Sequence, residues 1–309
     1  MKEISKLLFG LVALSLVSVP SQNVAAKVDA PENCETRPFD KGRLWKVTRE
    51  GSPPNYIFGT MHSKDPRILH LPGVIMQAFN SANTAVFETS LKNEDMARSQ
   101  AMMLLPQGQT LRAKIGPERF KRLAEIATPY GLDTQTLNRV KIWAAAAIIS
   151  QPPPAMNGNA PKMALLDKEL EKSAMNAGKT VIALETNKEQ LNVFDSTPEE
   201  VQLEYLDQSI LEHARLEEEL ETITSYYLSG NTGWIACDLE ETLATASEGL
   251  NYMMTEKLVD DRNRRMVERM LPTLEQGNAF VGIGALHLPG ENGILALLQA
   301  NGYSIEKKY

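Results

Sequence analysis

Short apolar segments near the two ends of the chain constrain the fold more than any other feature of this sequence. Six stretches rich in β-branched or aromatic residues are bounded by Gly, Pro, Asn or Ser, which is the pattern of β-strands. Four of them are continuously apolar, as expected of strands that are covered on both faces. The predicted strands are Leu44–Val47, Tyr56–Gly59, Thr84–Glu88, Val181–Glu185, Phe280–Gly284 and Ser304–Lys307.

The long segments between the inner strands have helical periodicity. They occupy residues of about 91–178 and 187–275, and we interpret them as helical insertions into one domain that covers residues 27–309. Thr197-Pro198-Glu199-Glu200 has the pattern of a capping box and predicts the start of a long charged helix. Strands that alternate with helices predict an α/β fold with a small, mixed, mostly parallel sheet flanked by helices.

The N-terminus has the pattern of a secretory signal peptide. Two lysines precede an apolar run from Leu7 to Val19, and Val24-Ala25-Ala26 offers small residues for cleavage. Residues 1–26 are therefore predicted to be a signal peptide, and the mature chain to be periplasmic or secreted. The apolar run is shorter than the roughly 20 residues that span a membrane, so no integral membrane segment is expected in the mature chain. An uncleaved anchor is the alternative.

Composition limits the partners and the cysteine chemistry. The formal net charge of −7 argues against nucleic-acid binding, which depends on neutralising phosphates. The chain has two cysteines, Cys34 and Cys237, which could form one bridge in an oxidising compartment. One free buried thiol and one thiol in a frayed terminus is the alternative, since sequence separation does not decide between them.

Each of the four apolar strands leads to a histidine or a glutamate. Two lead into the same motif, Gly59-Thr60-Met61-His62 and Gly284-Ala285-Leu286-His287, and the others end at Glu88 and Glu185. If the strands are parallel, these side chains converge at one edge of the sheet, where open α/β sheets bind ligands. Two imidazoles with one or two carboxylates suit a divalent metal ion. Glycine at the start of each motif allows a sharp turn and a close approach to an ion or substrate.

Each of these residues has a simpler interpretation when taken alone. A single histidine after a strand is more often a hydrogen-bonded rim residue than a ligand. Glu88 could interact with the N-terminus of a helix that begins near Thr89, and Glu185 with the N-terminus of one that begins near Thr186. The occurrence of the motif twice, in a chain with only four histidines, favours a shared site.

Arg262 interrupts an apolar row on the predicted helix Leu250–Leu271. A guanidinium that points into a core needs a partner. It either pairs with a site carboxylate or stabilises an oxyanion, or else it forms a structural salt bridge or extends its charged end to solvent. The sequence favours neither interpretation. The row consists of Met254, Leu258, Met266 and Met270.

Several short motifs follow one another in a characteristic order. They are Phe58-Gly59-Thr60-Met61-His62, Leu71-Pro72, Phe87-Glu88, Ala183-Leu184-Glu185-Thr186, Glu189-Gln190-Leu191, Asp261-Arg262-Asn263, Gly284-Ala285-Leu286-His287-Leu288-Pro289-Gly290 and Gly302-Tyr303. As an ordered set they resemble the TraB/GumN (TIKI-like) superfamily over nearly all of the predicted mature chain. The resemblance implies a core similar to the erythromycin-esterase/ChaN group. By analogy with the TIKI branch, it also implies a peptidase that depends on manganese or cobalt, with zinc as a third candidate.

The implied mechanism gives a role to each residue of the predicted site. A metal-activated water would attack a peptide or protein substrate. The metal ligands would be His62, His287 and Glu88, and Glu185 would be the general base or a further ligand. Arg262 and Asn263 would stabilise the oxyanion. The backbone of Gly59 and Gly284 would lie nearest the bound ion.

Two other functions remain open from the residues. One is a non-enzymatic binder of a peptide, a metal or haem in the same crevice. The other is esterase-like hydrolysis without a metal, in which one of the paired histidines activates water directly.

Overall fold

The computed structural model describes residues 29–31, 34–90, 96–154 and 165–309. The predicted signal peptide lies outside the described residues. All six predicted strands are present, with ends that differ from the prediction by no more than two residues. The strands are β1 (Leu44–Thr48), β2 (Asn55–Thr60), β3 (Thr84–Phe87), β4 (Thr180–Ala183), β5 (Ala279–Gly284) and β6 (Ser304–Lys307).

The six strands form one sheet in the spatial order β4-β3-β5-β2-β1-β6. β4, β3, β5 and β2 are parallel to their neighbours within this group. β1 is antiparallel to both β2 and β6. The predicted α/β fold with a mixed, mostly parallel sheet is therefore confirmed. Helical crossovers make this possible, because parallel neighbours cannot be joined by a tight turn.

Helices occupy each connection between consecutive strands from β2 onwards, whereas β1 and β2 are joined by a short turn. None of the helices in the described part of the chain combines the length and the apolar content needed to cross a membrane. A π-helix, Met253–Asp260, joins two of the helices without a break. The helices are α1 (Pro66–Leu69), α2 (Gly73–Ser81), α3 (Met96–Met102), α4 (Leu111–Ile115), α5 (Pro117–Ala127), α6 (Thr134–Leu137), α7 (Ile142–Ile149), α8 (Leu166–Asn176), α9 (Asn187–Asp195), α10 (Glu199–Glu212), α11 (Leu216–Leu228), α12 (Thr232–Leu243), α13 (Glu248–Tyr252), α14 (Asp261–Gln276) and α15 (Ile294–Ala300).

Apolar side chains cover both faces of the sheet. On one face, Val281 of β5 packs in a cluster with Met266 of α14. On the other face, Phe280 of β5 belongs to a cluster with Ile75 of α2 and Tyr227 of α11. This two-sided coverage explains why the central strands are continuously apolar instead of alternating.

A third apolar cluster is built without any strand residue of the sheet. Within it, Trp143 of α7 stacks on Phe194 of α9, with ring centroids 5.7 Å apart. Leu206 of α10 and Leu250 of α13 belong to the same cluster. The helices that follow β3 and the helices that follow β4 therefore share one core.

The predicted capping box at Thr197 is wrong. Pro198 is the N-cap of α10 and makes no side-chain cap bond. The Thr197 hydroxyl instead donates to the carbonyl of Val193 over 2.8 Å, so it is already used by the end of α9. A reciprocal capping box occurs earlier, where Thr186 and Glu189 begin α9.

Cys34 and Cys237 form a disulfide, with Cα atoms 5.4 Å apart. The bridge ties the N-terminal segment to α12. The same segment contacts the loop after the second Gly-x-x-His motif, because the Pro38 carbonyl accepts from the N–H of Gly290 over 2.8 Å. The pairing that the sequence left open is therefore present.

Candidate functional site

The parallel strands end together at one edge of the sheet. Strand pairing sets Thr60 opposite Gly284 and sets Phe87 opposite Gly282 and Ala183. The four predicted side chains follow these strand ends closely, and Arg262 contacts three of them, Glu88, Glu185 and His287. The predicted convergence is therefore observed. The four side chains are His62, Glu88, Glu185 and His287.

The two motif glycines allow close packing at this edge. The N–H of Gly284 donates to Oε1 of Glu88 over 2.7 Å, and a Cβ at Gly284 would lie 3.1 Å from that oxygen. A Cβ at Gly59 would lie 2.9 Å from Leu288 and 3.2 Å from the backbone of Ala285. Gly59 thus lets the first motif pack against the second, whereas Gly284 lets the backbone reach a site carboxylate.

Arg262 lies on a helix that crosses from the helical core to the sheet core. Met253 belongs to the first core and Met266 to the second, with most of the π-helix between them. Arg262 lies two residues after the π-helix, in the first turn of α14, and its predicted burial is confirmed at 2% exposure.

The Arg262 guanidinium lies among two carboxylates and one imidazole. Its Nη2 donates to Oε2 of Glu88 over 2.6 Å, and its Nε donates to Oε2 of Glu185 over 2.8 Å. Its Nη1 donates to the Leu258 carbonyl over 3.1 Å and lies 3.2 Å from Nε2 of His287. Of the alternatives left open by the sequence, extension of the charged end to solvent is wrong, and the observed ion pairs are those expected both of a site residue and of a structural salt bridge. Burial of opposite charges requires such pairing.

Electrostatics keep Glu88 ionised. Burial alone would raise the pKa of this carboxyl, but the Arg262 guanidinium, the charged His62 imidazole and the Gly284 N–H hold the pKa well below its usual range. Glu88 is therefore an acceptor at the centre of the sheet edge.

Glu185 has a second cationic partner in Arg265. The Nε of Arg265 donates to Oε1 of Glu185 over 3.1 Å, and its Nη2 contacts the same oxygen. Gln190 lies on the other side, with Nε2 3.3 Å from Oε2 of Glu185 and 3.3 Å from Oε2 of Glu88. Both oxygens of Glu185 therefore accept from guanidinium groups, one from Arg262 and one from Arg265.

Hydrogen bonding fixes the tautomer of His287. Nδ2 of Asn263 donates to the Asn292 carbonyl over 2.9 Å, which turns Oδ1 of Asn263 towards Nδ1 of His287 at 2.7 Å. Nδ1 must therefore carry the proton, and Nε2 accepts from Arg262. Burial and the nearby guanidinium lower the pKa of His287 to about 3, so the ring is neutral.

His62 has a different environment. Its Nδ1 lies 2.7 Å from Oδ2 of Asp167, and its side chain is 20% exposed. Oδ1 of Asp167 accepts from the Thr60 hydroxyl over 2.5 Å. Burial alone would lower the pKa of His62, but the Asp167 carboxylate raises it to about 9. The two histidines of the repeated motif thus differ in charge.

The stretch from Arg43 to Lys307 matches the family model of the TraB/PrgY/gumN family. The chain belongs to this family. Its curated relatives include Metalloprotease TIKI2 of Danio rerio, which is 22% identical over 85% of this chain and 60% of that protein. The Metalloprotease TIKI homolog of Nematostella vectensis is 23% identical over 85% of this chain and 66% of its own length.

Metalloprotease TIKI1 of Homo sapiens is 22% identical over 89% of this TraB/PrgY/gumN chain and 64% of its own length. The chain therefore spans about three fifths to two thirds of the length of these relatives. No solved structure matches it.

Three residues of this TraB/PrgY/gumN protein contact the predicted site side chains without having been assigned a role from the sequence. Arg265 lies three residues after Arg262, so helical periodicity is a signal that could have found it. Gln190 lies in the first turns of α9, close behind Glu185. Asp167 lies in a helix rich in charged residues, and no local pattern distinguishes it.

The side chains do not form a shared ion-binding cluster as they stand. Among the described residues, no three His, Cys, Asp or Glu side chains are positioned to hold one ion together. The Arg262 guanidinium lies among Glu88, Glu185 and His287 instead. The donor chemistry nevertheless fits a divalent ion. Each motif histidine has Nδ1 against a separate acceptor and Nε2 as its remaining ring nitrogen, which is how metal-binding histidines are supported.

Proposed function

We propose that this protein is a metal-dependent hydrolase that cleaves peptide bonds in a peptide or protein substrate. Membership of the TraB/PrgY/gumN family and the names of its metalloprotease relatives support this. The observation that carries the proposal is that His62 and His287 follow adjacent parallel strands and are each anchored through Nδ1. Such anchoring prepares imidazoles for metal binding.

His62, His287 and Glu88 would hold one divalent ion. Imidazole and carboxylate ligands suit manganese, cobalt and zinc alike. The bound ion would polarise the scissile carbonyl and activate water for attack. The Nε2 lone pair of His287 serves either a guanidinium N–H or an ion, so uptake requires His287 to give up its contact with Arg262.

Arg262 is our candidate for stabilising the negative charge that develops on the substrate. Its guanidinium is held on two sides by Glu88 and Glu185, which fixes its orientation before substrate arrives. A preorganised cation in a site shielded from water stabilises an oxyanion more strongly than one in bulk solvent. We therefore assign Glu185 to orienting Arg262, in place of the predicted role as general base or further metal ligand.

Both amide atoms of Asn263 have partners within the protein, and one N–H of Nδ2 has no partner among the described residues. Its Oδ1 is engaged by His287 and its Nδ2 by the Asn292 carbonyl. We therefore assign Asn263 to positioning His287, in place of the predicted oxyanion contact.

A groove beside Glu185 is our candidate for the substrate channel. Its volume is about 550 Å³, within the range typical of ligand sites. The rim is charged, and the lining residues are Ala183, Leu184, Glu185, Thr186, Glu189 and Arg269.

We infer that the protein acts outside the cytoplasm. The signal-peptide pattern of residues 1–26 and the disulfide between Cys34 and Cys237 agree, because such bridges persist in oxidising compartments.

The direct test is hydrolysis of a peptide library by the mature protein. The protein is first stripped with a chelator, and manganese, cobalt or zinc is then restored, with cleavage followed by mass spectrometry. We expect cleavage only after a metal is restored, its loss in His62→Ala and its retention in the exposed control Glu125→Gln. Cleavage that survives chelation would favour metal-free hydrolysis. Metal uptake without any cleavage would favour the non-enzymatic binder.

A further inference from the structure

Asp167 is a buried carboxylate that contacts the first Gly-x-x-His motif twice. We propose that Asp167 is the positioning residue of His62, which fixes the proton on Nδ1 and thereby reserves Nε2 for a bound ion. The role of Nε2 rests on the proposed metal site. The state of Nδ1 is a property of the metal-free protein and is tested separately.

The two oxygens of Asp167 have different partners. Oδ1 accepts from the Thr60 hydroxyl over 2.5 Å, and Oδ2 lies 2.7 Å from Nδ1 of His62. A carboxylate has no proton to donate, so Nδ1 must carry one. No contact of Nε2 is observed among the described residues, so this nitrogen, once it has released its own proton, is the one left for a ligand.

The backbone holds Asp167 in register with the motif. Asp167 lies in the first turn of α8, and the N–H of its neighbour Leu166 donates to the Ser63 carbonyl over 3.2 Å. Ser63, the residue after His62, is therefore hydrogen-bonded to Leu166, the residue before Asp167. Thr60, two residues before His62, donates to the Asp167 carboxylate. Contacts from both sides of the histidine thus hold Asp167 in place.

In the second Gly-x-x-His motif, Nδ1 of the histidine also faces an acceptor, but that acceptor is an amide and not a carboxylate. This motif has Ala285 where the first has Thr60, so it offers no hydroxyl to hold a carboxylate. The amide of Asn263 contacts His287 instead, and the Asn292 carbonyl orients that amide. A charged acceptor raises the basicity of the opposite ring nitrogen more than an amide does, so His62 should be the stronger ligand of the two.

The experiment compares Asp167→Ala, Asp167→Asn and the exposed control Glu125→Gln with wild type. Manganese affinity is measured by calorimetry on folded, metal-stripped protein. Proton NMR follows the Nδ1–H of His62, which lies against Oδ2 of Asp167, in the same samples, and the signal is assigned by its absence in His62→Ala. Melting temperature is recorded for each variant.

We expect Asp167→Ala to bind manganese about 10-fold to 100-fold more weakly and to lose the protected N–H signal. Asp167→Asn keeps an amide oxygen as an acceptor for Nδ1, so its loss of manganese affinity should be smaller than that of Asp167→Ala. Glu125→Gln should match wild type in all three measurements.

A lowered melting temperature with wild-type affinity per folded molecule would overturn the proposal and leave Asp167 a structural residue. A His62 N–H signal that persists in Asp167→Ala would overturn it as well. If wild type binds no manganese, the proposed metal site fails and the reservation of Nε2 fails with it. The N–H signal then still decides whether Asp167 sets the state of Nδ1.

Discussion

Arg262 donates to Glu88 over 2.6 Å at a point where the two side chains are 2% and 5% exposed. The same guanidinium donates to Glu185, so one cation compensates two carboxylates that follow different strands. Loss of one partner from a buried ion pair leaves an uncompensated charge, which costs more than the pair itself stabilises.

Replacing Arg262 with Gln should therefore lower the free energy of unfolding by about 3 to 5 kcal/mol. Arg262→Lys should fall between Gln and wild type, because one ammonium does not reproduce a planar fork that reaches both carboxylates. Urea unfolding measures the free energy of unfolding of both Arg262 variants. Arg264→Gln is the control, since Arg264 is 46% exposed on the same helix. If Arg262→Gln is no less stable than Arg264→Gln, the buried pairing contributes nothing.

Asn263 offers a test of positioning against oxyanion stabilisation. In Asn263→Ala, Nδ1 of His287 loses its acceptor, so the imidazole is free to change tautomer and turn. We expect manganese affinity to fall by about 10-fold to 100-fold, as for other residues that orient metal ligands. Calorimetry measures this, with Glu125→Gln as the control. Normal affinity combined with slower peptide cleavage would instead favour the oxyanion role predicted from the sequence.

The sheet could be predicted from sequence because each strand is short, apolar and bounded by turn-forming residues. The order of the strands could not, since β5 pairs with β3 and with β2, which are distant from it along the chain. The π-helix at Met253–Asp260 was also out of reach. Its sequence has ordinary helical periodicity, and the wider winding occurs where the helix passes between two cores.

The site divides in a similar way. His62, Glu88, Glu185 and His287 could be found because strand ends are visible in the sequence. Asp167 could not, because its role depends on α8 docking beside β2 across a long connection. The residues next to Asp167 in α8 are mostly charged, as on a solvent-exposed helix face, so the sequence does not distinguish Asp167 from them.

The disulfide should contribute a large share of the stability. It links Cys34 to Cys237 across a sequence separation of 203 residues, and a bridge that closes a long loop restricts the unfolded chain strongly. We expect the double variant Cys34→Ser/Cys237→Ser to lose about 2 to 5 kcal/mol of unfolding free energy. Reductant should lower the urea midpoint of wild type and leave that of the variant unchanged. Equal midpoints for reduced and oxidised wild type would contradict this.

Glu189 predicts a pH-dependent contribution at the start of α9. The Arg269 guanidinium and the Thr186 cap lower its pKa from 4.5 to about 2. A carboxyl whose pKa is lowered by folding stabilises the protein above its unfolded pKa, and this contribution disappears as the pH falls through the folded value. Glu189→Gln should cost about 1 kcal/mol at pH 7, since the group is partly exposed and solvent screens its ion pair. The difference from wild type should shrink between pH 4.5 and about 2. A difference that stays constant over this range in urea titrations would count against the assignment.

The central claim is that the histidines of the two Gly-x-x-His motifs share one ion. The most direct measurement is manganese uptake by metal-stripped protein, with stoichiometry from elemental analysis and affinity from calorimetry. Wild type and the Glu125→Gln control should take up about one ion per chain. His62→Ala and His287→Ala should each remain folded and bind at least about tenfold more weakly. The absence of any ion in wild type, or wild-type affinity in either histidine variant, would contradict the claim.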